Sequence, residues 1–253
     1  MNKFLTLFVL LLFALQAYSQ RPEADHFKTA EGDLTIQPVL HGTLMIQFNG
    51  KTMYVDPYGG SAAFDGLGKP DLILITDIHG DHLDEKTLDA IEAEGIPIVA
   101  PQAVKDKMSE KYKNSTTVVN NGESHGEMGI QIQAIPMYNL PESPDEKHVK
   151  GRGNGYVLTM GGKRLYISGD TEDIPEMRAL KDIYIAFVCM NLPYTMDINQ
   201  AASAVLEFEP SVVYPYHYRG RPDISDTEAF KALVDSGSKD IEVRLRNWYP
   251  DYQ

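Results

Sequence analysis

Apolar and polar residues alternate along this chain in short runs that are separated by turn residues. Asn49-Gly50 lies between two such runs, and this dipeptide favours the tight turn of a two-stranded hairpin. Gly161-Gly162 lies between two further runs in the same way. Each turn is followed by a lysine and, one residue later, by an apolar-tyrosine-apolar strand. We therefore expect two similar halves, each with a hairpin near its start.

The segments that follow each hairpin change between strand and helix patterns. The predicted strands lie within 34–56 and at 71–76, 96–100, 116–119, 130–135, 156–160, 163–168, 183–189, 211–216 and 241–245. The predicted helices are 84–93, 101–112, 174–181, 198–208 and 227–236. The polar stretch 138–155 is predicted to be a long loop, a feature that is usually functional or mobile in a compact domain. Two such halves packed together give an α/β fold, a four-layer α/β/β/α sandwich.

Residues 1–19 have the pattern of a secretory signal peptide. Lys3 precedes the 12-residue apolar run 4–15, and the small residues Ala17 and Ser19 stand where a signal peptidase reads. The run is shorter than the roughly 20 residues that span a bilayer, so an uncleaved anchor is the weaker alternative. We expect cleavage after Ser19, export to the periplasm or the medium, and one domain over residues 20–253 without an integral membrane segment.

Composition narrows the class of partner. The formal net charge is −13, which argues against a nucleic-acid partner because phosphate backbones need clustered basic residues. Cys189 is the only cysteine, so an exported form has no internal disulfide, and its apolar surroundings predict a buried core thiol. A small-molecule substrate is therefore expected.

The densest chemistry lies where the apolar strand 71–76 ends. Asp77, His79, Asp81 and His82 follow it within six residues, and a turn after a buried strand can aim such side chains at one point. The alternative for Asp81 and His82 is a helix cap followed by a surface histidine. Asp77 could also accept a hydrogen bond from a ligand histidine rather than bind metal itself.

Two later residues extend this set. Asp170 and His217 each follow a predicted strand, and strand ends are where α/β architectures bind ligands. Imidazoles with carboxylates suit zinc, manganese or iron better than calcium or magnesium. Six candidates are too many for one tetrahedral ion, so we expect two divalent ions, with zinc preferred.

The stretch Asp77-Ile78-His79-Gly80-Asp81-His82 resembles the His-x-His-x-Asp-His signature of the metallo-β-lactamase superfamily. Later segments, around Asp170 and His217, follow in that superfamily's order. The segments 136–139 and 194–197 resemble the branch that includes ascorbate-6-phosphate lactonase and the phospholipase D acting on N-acyl ethanolamine lipids. Two departures are clear: an aspartate, Asp77, occupies the first histidine position, and the middle histidine has no obvious equivalent. His125, Asn139 and His148 are the candidates for that place, and we choose His148 because it lies in the long loop before the second hairpin.

The resemblance implies a ligand set and an activity. Asp77, His79 and His148 would hold one ion, Asp81, His82 and His217 the other, and Asp170 would bridge them. A metal-bound hydroxide would attack an ester, lactone, amide or phosphodiester, with Asp81 orienting the nucleophile. Three carboxylates and a hydroxide would cancel the charge of two divalent ions, which favours manganese or iron more than an all-histidine site does.

Other readings stay open. The chain could be a non-catalytic metal- or ligand-binding relative with a degraded first site, or a carboxylate-rich iron protein with redox chemistry. His41 and Asp56 could support ligand residues or be merely structural, and we favour the structural role. His26 and His125 are expected at the surface, and three tyrosines are expected to pack rather than bind substrate: Tyr194, Tyr216 and Tyr218.

Overall fold

The structure is a computed structural model that describes residues 21–250. The predicted signal peptide and its cleavage point lie outside the described residues. Among the residues described, no helix combines the length and the apolar character that a bilayer crossing requires.

The first half of the chain forms one seven-stranded sheet in the order β1-β2-β3-β4-β5-β6-β7. Its strands are β1 (Asp25–Thr29), β2 (Gly32–Leu40), β3 (Thr43–Phe48), β4 (Lys51–Val55), β5 (Leu72–Leu74), β6 (Ile98–Ala100) and β7 (Thr116–Val118). The pairs from β1 to β4 are antiparallel, and those from β4 to β7 are parallel. A 3₁₀ turn (Ser61–Phe64) and helices α1 (Glu85–Ala90), α2 (Gln102–Lys107) and α3 (Glu110–Lys113) connect the parallel strands.

The second half repeats this plan in a second seven-stranded sheet, β8 to β14. Its strands are β8 (Ser124–Glu127), β9 (Ile130–Met137), β10 (Gly153–Met160), β11 (Lys163–Ile167), β12 (Ile185–Cys189), β13 (Val212–Tyr216) and β14 (Glu242–Val243). Again the first four strands pair antiparallel and the last four parallel. Helices α4 (Pro175–Arg178), α5 (Ile198–Phe208) and α6 (Thr227–Gly237) flank it. The predicted α/β sandwich of two similar halves is confirmed.

Both predicted hairpins form, for the reason their turn residues suggest. Asn49 and Gly50 have φ angles of 50° and 73°, and Gly161 and Gly162 have 55° and 72°. Two successive positive φ angles define a turn whose twist matches that of paired strands. Each hairpin therefore leads its chain into the parallel part of a sheet.

Apolar residues fill the space between the sheets and under the helices. The larger cluster joins both halves and includes Ile46 and Val55 of the first sheet with Leu158 and Ile167 of the second. Cys189 belongs to it and is fully buried, as expected for a core thiol. The packing of the two sheets brings the strand ends of one half beside those of the other.

Local departures from the predicted elements have local causes. The helix expected over 101–112 is broken, because Met108 adopts an extended conformation and ends α2 before α3 begins. Strands β1 and β8 were not predicted. The sequence of β8, Ser-His-Gly-Glu, has no apolar residue, and only its pairing with β9 makes it a strand.

Candidate metal centre

The candidate ligands lie together where strands of both sheets end. Asp77, His79, Asp81 and His82 follow β5, Asp170 follows β11, His217 follows β13, and His148 lies in the loop between β9 and β10. Their ligand atoms form groups whose members lie within 4.8 Å of one another. These groups are Asp77 with His79 and His148; His82 with Asp170 and His217; and His41 with Asp81 and His217.

The first group surrounds the carboxylate of Asp77, which is fully buried. Its Oδ2 contacts His79 Nδ1 and lies 3.9 Å from His148 Nε2. The same His148 nitrogen is 3.3 Å from Asp170 Oδ2. On the other side of Asp77, the Arg152 Nε lies 3.5 Å from Oδ1. The loop 138–152 thus contributes both a histidine and a charge-balancing arginine.

The second group lies around the other side of Asp170. His82 Nε2 is 3.4 Å from Asp170 Oδ2, and His217 Nε2 is 3.5 Å from Asp170 Oδ1. His217 Nε2 is also 3.5 Å from Asp81 Oδ2. Asp170 therefore faces both groups, which is the position that a bridging carboxylate needs.

The spacing of these atoms suits shared cations better than hydrogen bonds. A charge-assisted N–H···O bond measures about 2.7–2.9 Å. Tetrahedral ligands about 2.0–2.2 Å from zinc stand roughly 3.3–3.6 Å from one another. The distances from Asp170 to His82 and His217, 3.4 and 3.5 Å, fall in that second range, whereas the contact of Asp77 with His79 is shorter.

Apart from the close contact between Asp77 Oδ2 and His79 Nδ1, the converging atoms make no regular hydrogen bond within the described part of the chain. These buried atoms are both carboxylate oxygens of Asp77, Oδ1 of Asp170, Nδ1 of His79, and Nε2 of His82, His148 and His217. A buried polar group without a partner costs about 1–3 kcal/mol, and more if it is charged. So many orphaned ligand atoms aimed at one place fit divalent ions.

Neighbouring side chains fix which nitrogen of His82 and of His148 is free. Asp56 Oδ2 lies 2.8 Å from His82 Nδ1, and the amide and hydroxyl of Thr76 donate to the same carboxylate. The Asn139 Oδ1 lies 3.1 Å from His148 Nδ1. Because a carboxylate or amide oxygen can only accept here, Nδ1 carries the proton in both rings. The lone pair of Nε2 then points into the centre.

His41 forms a similar chain to Asp81. The backbone N–H of Arg219 donates to the Tyr249 hydroxyl at 3.1 Å, and that hydroxyl lies 2.6 Å from His41 Nδ1. The hydroxyl therefore donates to Nδ1, which leaves the proton of His41 on Nε2, 3.0 Å from Asp81 Oδ2. The result is a hydrogen bond that holds Asp81 toward the centre.

Of the two roles left open for His41 and Asp56, these contacts favour support of the candidate ligands over the structural role that we preferred. Both are buried and both position candidate ligands. The sequence repeat between the halves could have indicated a role for Asp56 at the site, because Asp56 follows β4 much as Asp170 follows β11. Arg152 had no such signal, since nothing in its local sequence marks it.

Three residues of this region adopt a left-handed backbone. The φ angles are 58° at His41, 44° at Asp56 and 47° at His217. Residues other than glycine avoid this region, and such strain tends to persist at functional sites. Each of these three residues directly follows a strand, and its left-handed conformation ends the extended backbone beside the candidate centre.

Charges in the cluster shift one another strongly. Burial alone raises the pKa of Asp77, but contact with His79 and the charges of His82 and Arg152 lower it to about 2. Burial opposes the charged form of His82, yet Asp170, Asp56 and Asp81 raise its pKa well above the usual range. The carboxylates therefore favour positive charge at this place, and divalent cations can supply it.

The remaining candidates lie apart or play other parts. His125 is on β8 and faces Glu127 at 3.3 Å, outside all three groups. His26 is exposed beside Thr35. Tyr216 and Tyr218 are buried, as expected for packing, whereas Tyr194 lines a cavity.

That cavity has a volume of about 420 Å³ and opens onto the centre. It is lined by His41, His79, Asp81, Lys147, Asp170, Asn191, Tyr194, Arg219, Gly220 and Arg221. Its size lies in the range of small-molecule sites. A substrate in it would meet Asp81 and Asp170 directly.

Comparison with known proteins gives consistent matches. A sequence model of the beta-lactamase superfamily domain matches residues 35–217. A UPF0173 metal-dependent hydrolase of Thermococcus onnurineus is 33% identical over 207 residues, which cover 77% of this chain and 89% of the relative. One from Pyrococcus abyssi is 31% identical over 208 residues, with the same coverage.

Solved structures agree in fold. A crystal structure from Parabacteroides distasonis, described as a metal-dependent hydrolase, has a TM-score of 0.77 at 42% identity and covers 89% of this chain and 98% of its own. Igni18, a metallo hydrolase from Ignicoccus hospitalis, has a TM-score of 0.72 at 24% identity, covering 85% and 95%. At that identity the second likeness bears on the fold alone.

Proposed function

Because the chain belongs to the beta-lactamase superfamily, among its UPF0173 metal-dependent hydrolases, we propose that it is an exported enzyme that cleaves an ester, lactone, amide or phosphodiester bond of a small molecule. The observation that carries this proposal is the convergence of seven candidate ligands, three of which, His79, Asp81 and Asp170, line one cavity. Their unpartnered atoms favour catalytic ions over a degraded site, because His148 completes the group of Asp77 and His79.

The proposed ligands form two groups that share Asp170. Asp77, His79 and His148 hold one ion, Asp81, His82 and His217 hold the other, and Asp170 lies between them. Zinc suits the mixture of imidazole and carboxylate, while the three aspartates keep manganese and iron as alternatives. When bound, such ions lower the pKa of water and polarise the scissile bond.

The chain's own residues prepare the site for this chemistry. Asp81 is about a third exposed and faces the cavity, so one of its oxygens can accept a hydrogen bond from the nucleophile and orient it. His41 holds the other oxygen in place. Asp56 and Asn139 keep His82 and His148 in the tautomer that leaves Nε2 free.

Export is the part of the proposal that rests on residues 1–19. The expected mature N-terminus is Gln20. N-terminal sequencing of protein from the periplasmic and medium fractions would identify it. A full-length chain that stays in the cytoplasm would contradict export without affecting the proposed chemistry.

The catalytic proposal is tested with His82→Ala, using His125→Ala as the matched control. We expect the wild type to bind two equivalents of zinc and to hydrolyse at least one of 4-nitrophenyl acetate, a γ-lactone and bis(4-nitrophenyl) phosphate. His82→Ala should lose about one equivalent of metal and at least about 100-fold in turnover, since an ion contributes several kcal/mol to the transition state. His125→Ala should match the wild type.

The contrary results are distinct. Unchanged metal content and turnover in His82→Ala would exclude His82 as a ligand. Full metal content without turnover on any substrate would favour the non-catalytic alternative.

A further inference from the structure

The cavity differs in charge from the rest of the molecule. The chain has a formal net charge of −13, yet three basic side chains line this cavity: Lys147, Arg219 and Arg221. Among residues 21–250, the acidic side chains in its lining are Asp81 and Asp170, both proposed metal ligands. Once their charge is balanced by ions, the wall that remains is positive.

These three charges are available to a ligand. In the range 21–250, no carboxylate lies within 4.0 Å of any of them, whereas Arg178 and Arg246 are paired with acids. The Lys147 Nζ lies 5.1 Å from the ring centre of Tyr194, and the Arg219 guanidinium lies 5.4 Å from that of Tyr249. Aromatic contacts of this kind orient a cation without neutralising it.

Backbone contacts hold the arginines against the cavity. The backbone N–H of Arg221 donates to the Leu192 carbonyl at 2.7 Å, and that of Arg219 donates to the Tyr249 hydroxyl at 3.1 Å. Gly220 lies between them, where a Cβ would stand 1.8 Å from the Leu192 carbonyl oxygen. Only glycine permits this close approach of the loop to Leu192.

We propose that the cavity binds its substrate through an oxyanion, a phosphate or carboxylate group, that Lys147, Arg219 and Arg221 hold beside the metal centre. This inference rests on the proposed function, because it assigns the substrate class of the same site. Lys147 directly precedes His148, and Arg219 follows His217 by two residues, so basic residues flank both proposed ion positions. Arginine and lysine are the residues that recognise such groups by charge-assisted hydrogen bonds.

The test is isothermal titration of the zinc-loaded full chain with glycerol 2-phosphate, succinate and neutral succinamide. We expect at least one of the anions to bind at least about tenfold more tightly than succinamide. Arg219→Gln and Arg221→Gln should each weaken anion binding about tenfold, the loss expected for one charge-assisted hydrogen bond, and leave zinc content unchanged.

Lys147→Gln has a matched control in Lys163→Gln. Both lysines lie over a tyrosine ring, Lys163 at 3.9 Å from Tyr184, but only Lys147 lines the cavity. We expect Lys147→Gln to weaken anion binding and Lys163→Gln to leave it unchanged. Selective binding of glycerol 2-phosphate would assign a phosphate, and selective binding of succinate a carboxylate.

The two proposals fail separately. Suppose that the protein binds two ions and turns over substrate, but all three cavity variants bind the anions as tightly as the wild type. The oxyanion inference alone is then overturned, because the anions bind through the ions. If the protein binds no zinc but still binds the anions, and the cavity variants weaken that binding, the proposed function alone is overturned.

Discussion

At the scale of single residues, Asp56 has an unusual position. Its carboxylate is fully buried and accepts hydrogen bonds from the Thr76 amide and hydroxyl at 2.8 and 2.6 Å. Burial raises its pKa, while His82 and Thr76 act in the opposite direction. The third contact of the carboxylate, with His82 Nδ1, decides whether that ring offers a lone pair or a proton to the centre.

Asp56→Asn is predicted to weaken metal binding while leaving the fold intact. The new amide group can face His82 Nδ1 as a donor, which moves the ring proton to Nε2 and blocks the lone pair. Loss of such a supporting contact typically costs 10–100-fold in metal affinity. Competition with a chromogenic chelator measures it.

Asp71→Asn is the control for this change. Asp71 accepts from Thr52 and Lys51 and belongs to none of the candidate ligand groups. The Asp71→Asn variant should therefore bind metal with the wild-type affinity. If Asp56→Asn also bound metal with the wild-type affinity, Asp56 would not set the tautomer of His82.

At the scale of elements, much of the site follows from where strands end. Asp77 to His82 were predicted together because they are contiguous and directly follow an apolar strand. The place of His148 was harder to predict, because it depends on how a 15-residue polar loop folds back, and three residues competed for the role. Asn139 and Arg152 could not be assigned, since their contacts exist only after that loop folds.

The cap of α5 should affect stability but not metal binding. Asp197 accepts from the backbone of Asn199 and Gln200, and the Gln200 side chain accepts from the Asp197 amide. Removing it in Asp197→Ala should cost about 1 kcal/mol. For a chain of this size that is a fall of about 2–4 °C in Tm.

Differential scanning calorimetry and metal analysis of the variant test this separation. Bound zinc should stay at the wild-type level, because no proposed ligand lies on α5. Loss of an ion in Asp197→Ala would show that the helix also shapes the centre.

At the scale of the whole molecule, the centre lies where the two halves meet. The first half contributes Asp77 to His82, and the second contributes Asp170 and His217. The sequence repeat predicted two halves, but the packing of one sheet against the other is set by many buried contacts that no local pattern specifies. Binding ions there would couple metal affinity to the stability of the whole fold.

Removal of the ions should therefore destabilise the protein as a whole. At a free metal concentration of 100 Kd, each ion adds about 2.7 kcal/mol to the free energy of unfolding, so two ions add about 5.4 kcal/mol. Chelation of both ions should lower Tm by about 10–20 °C, and added zinc should restore it. A Tm that does not respond to chelator would contradict a centre that joins the halves.

The most direct test of the central claim is anomalous X-ray diffraction from crystals of the zinc-loaded protein. We expect two peaks about 3.5–4 Å apart. One should lie among Asp77, His79 and His148, the other among Asp81, His82 and His217, with Asp170 between them. No peak at these residues, or peaks elsewhere on the molecule, would contradict it.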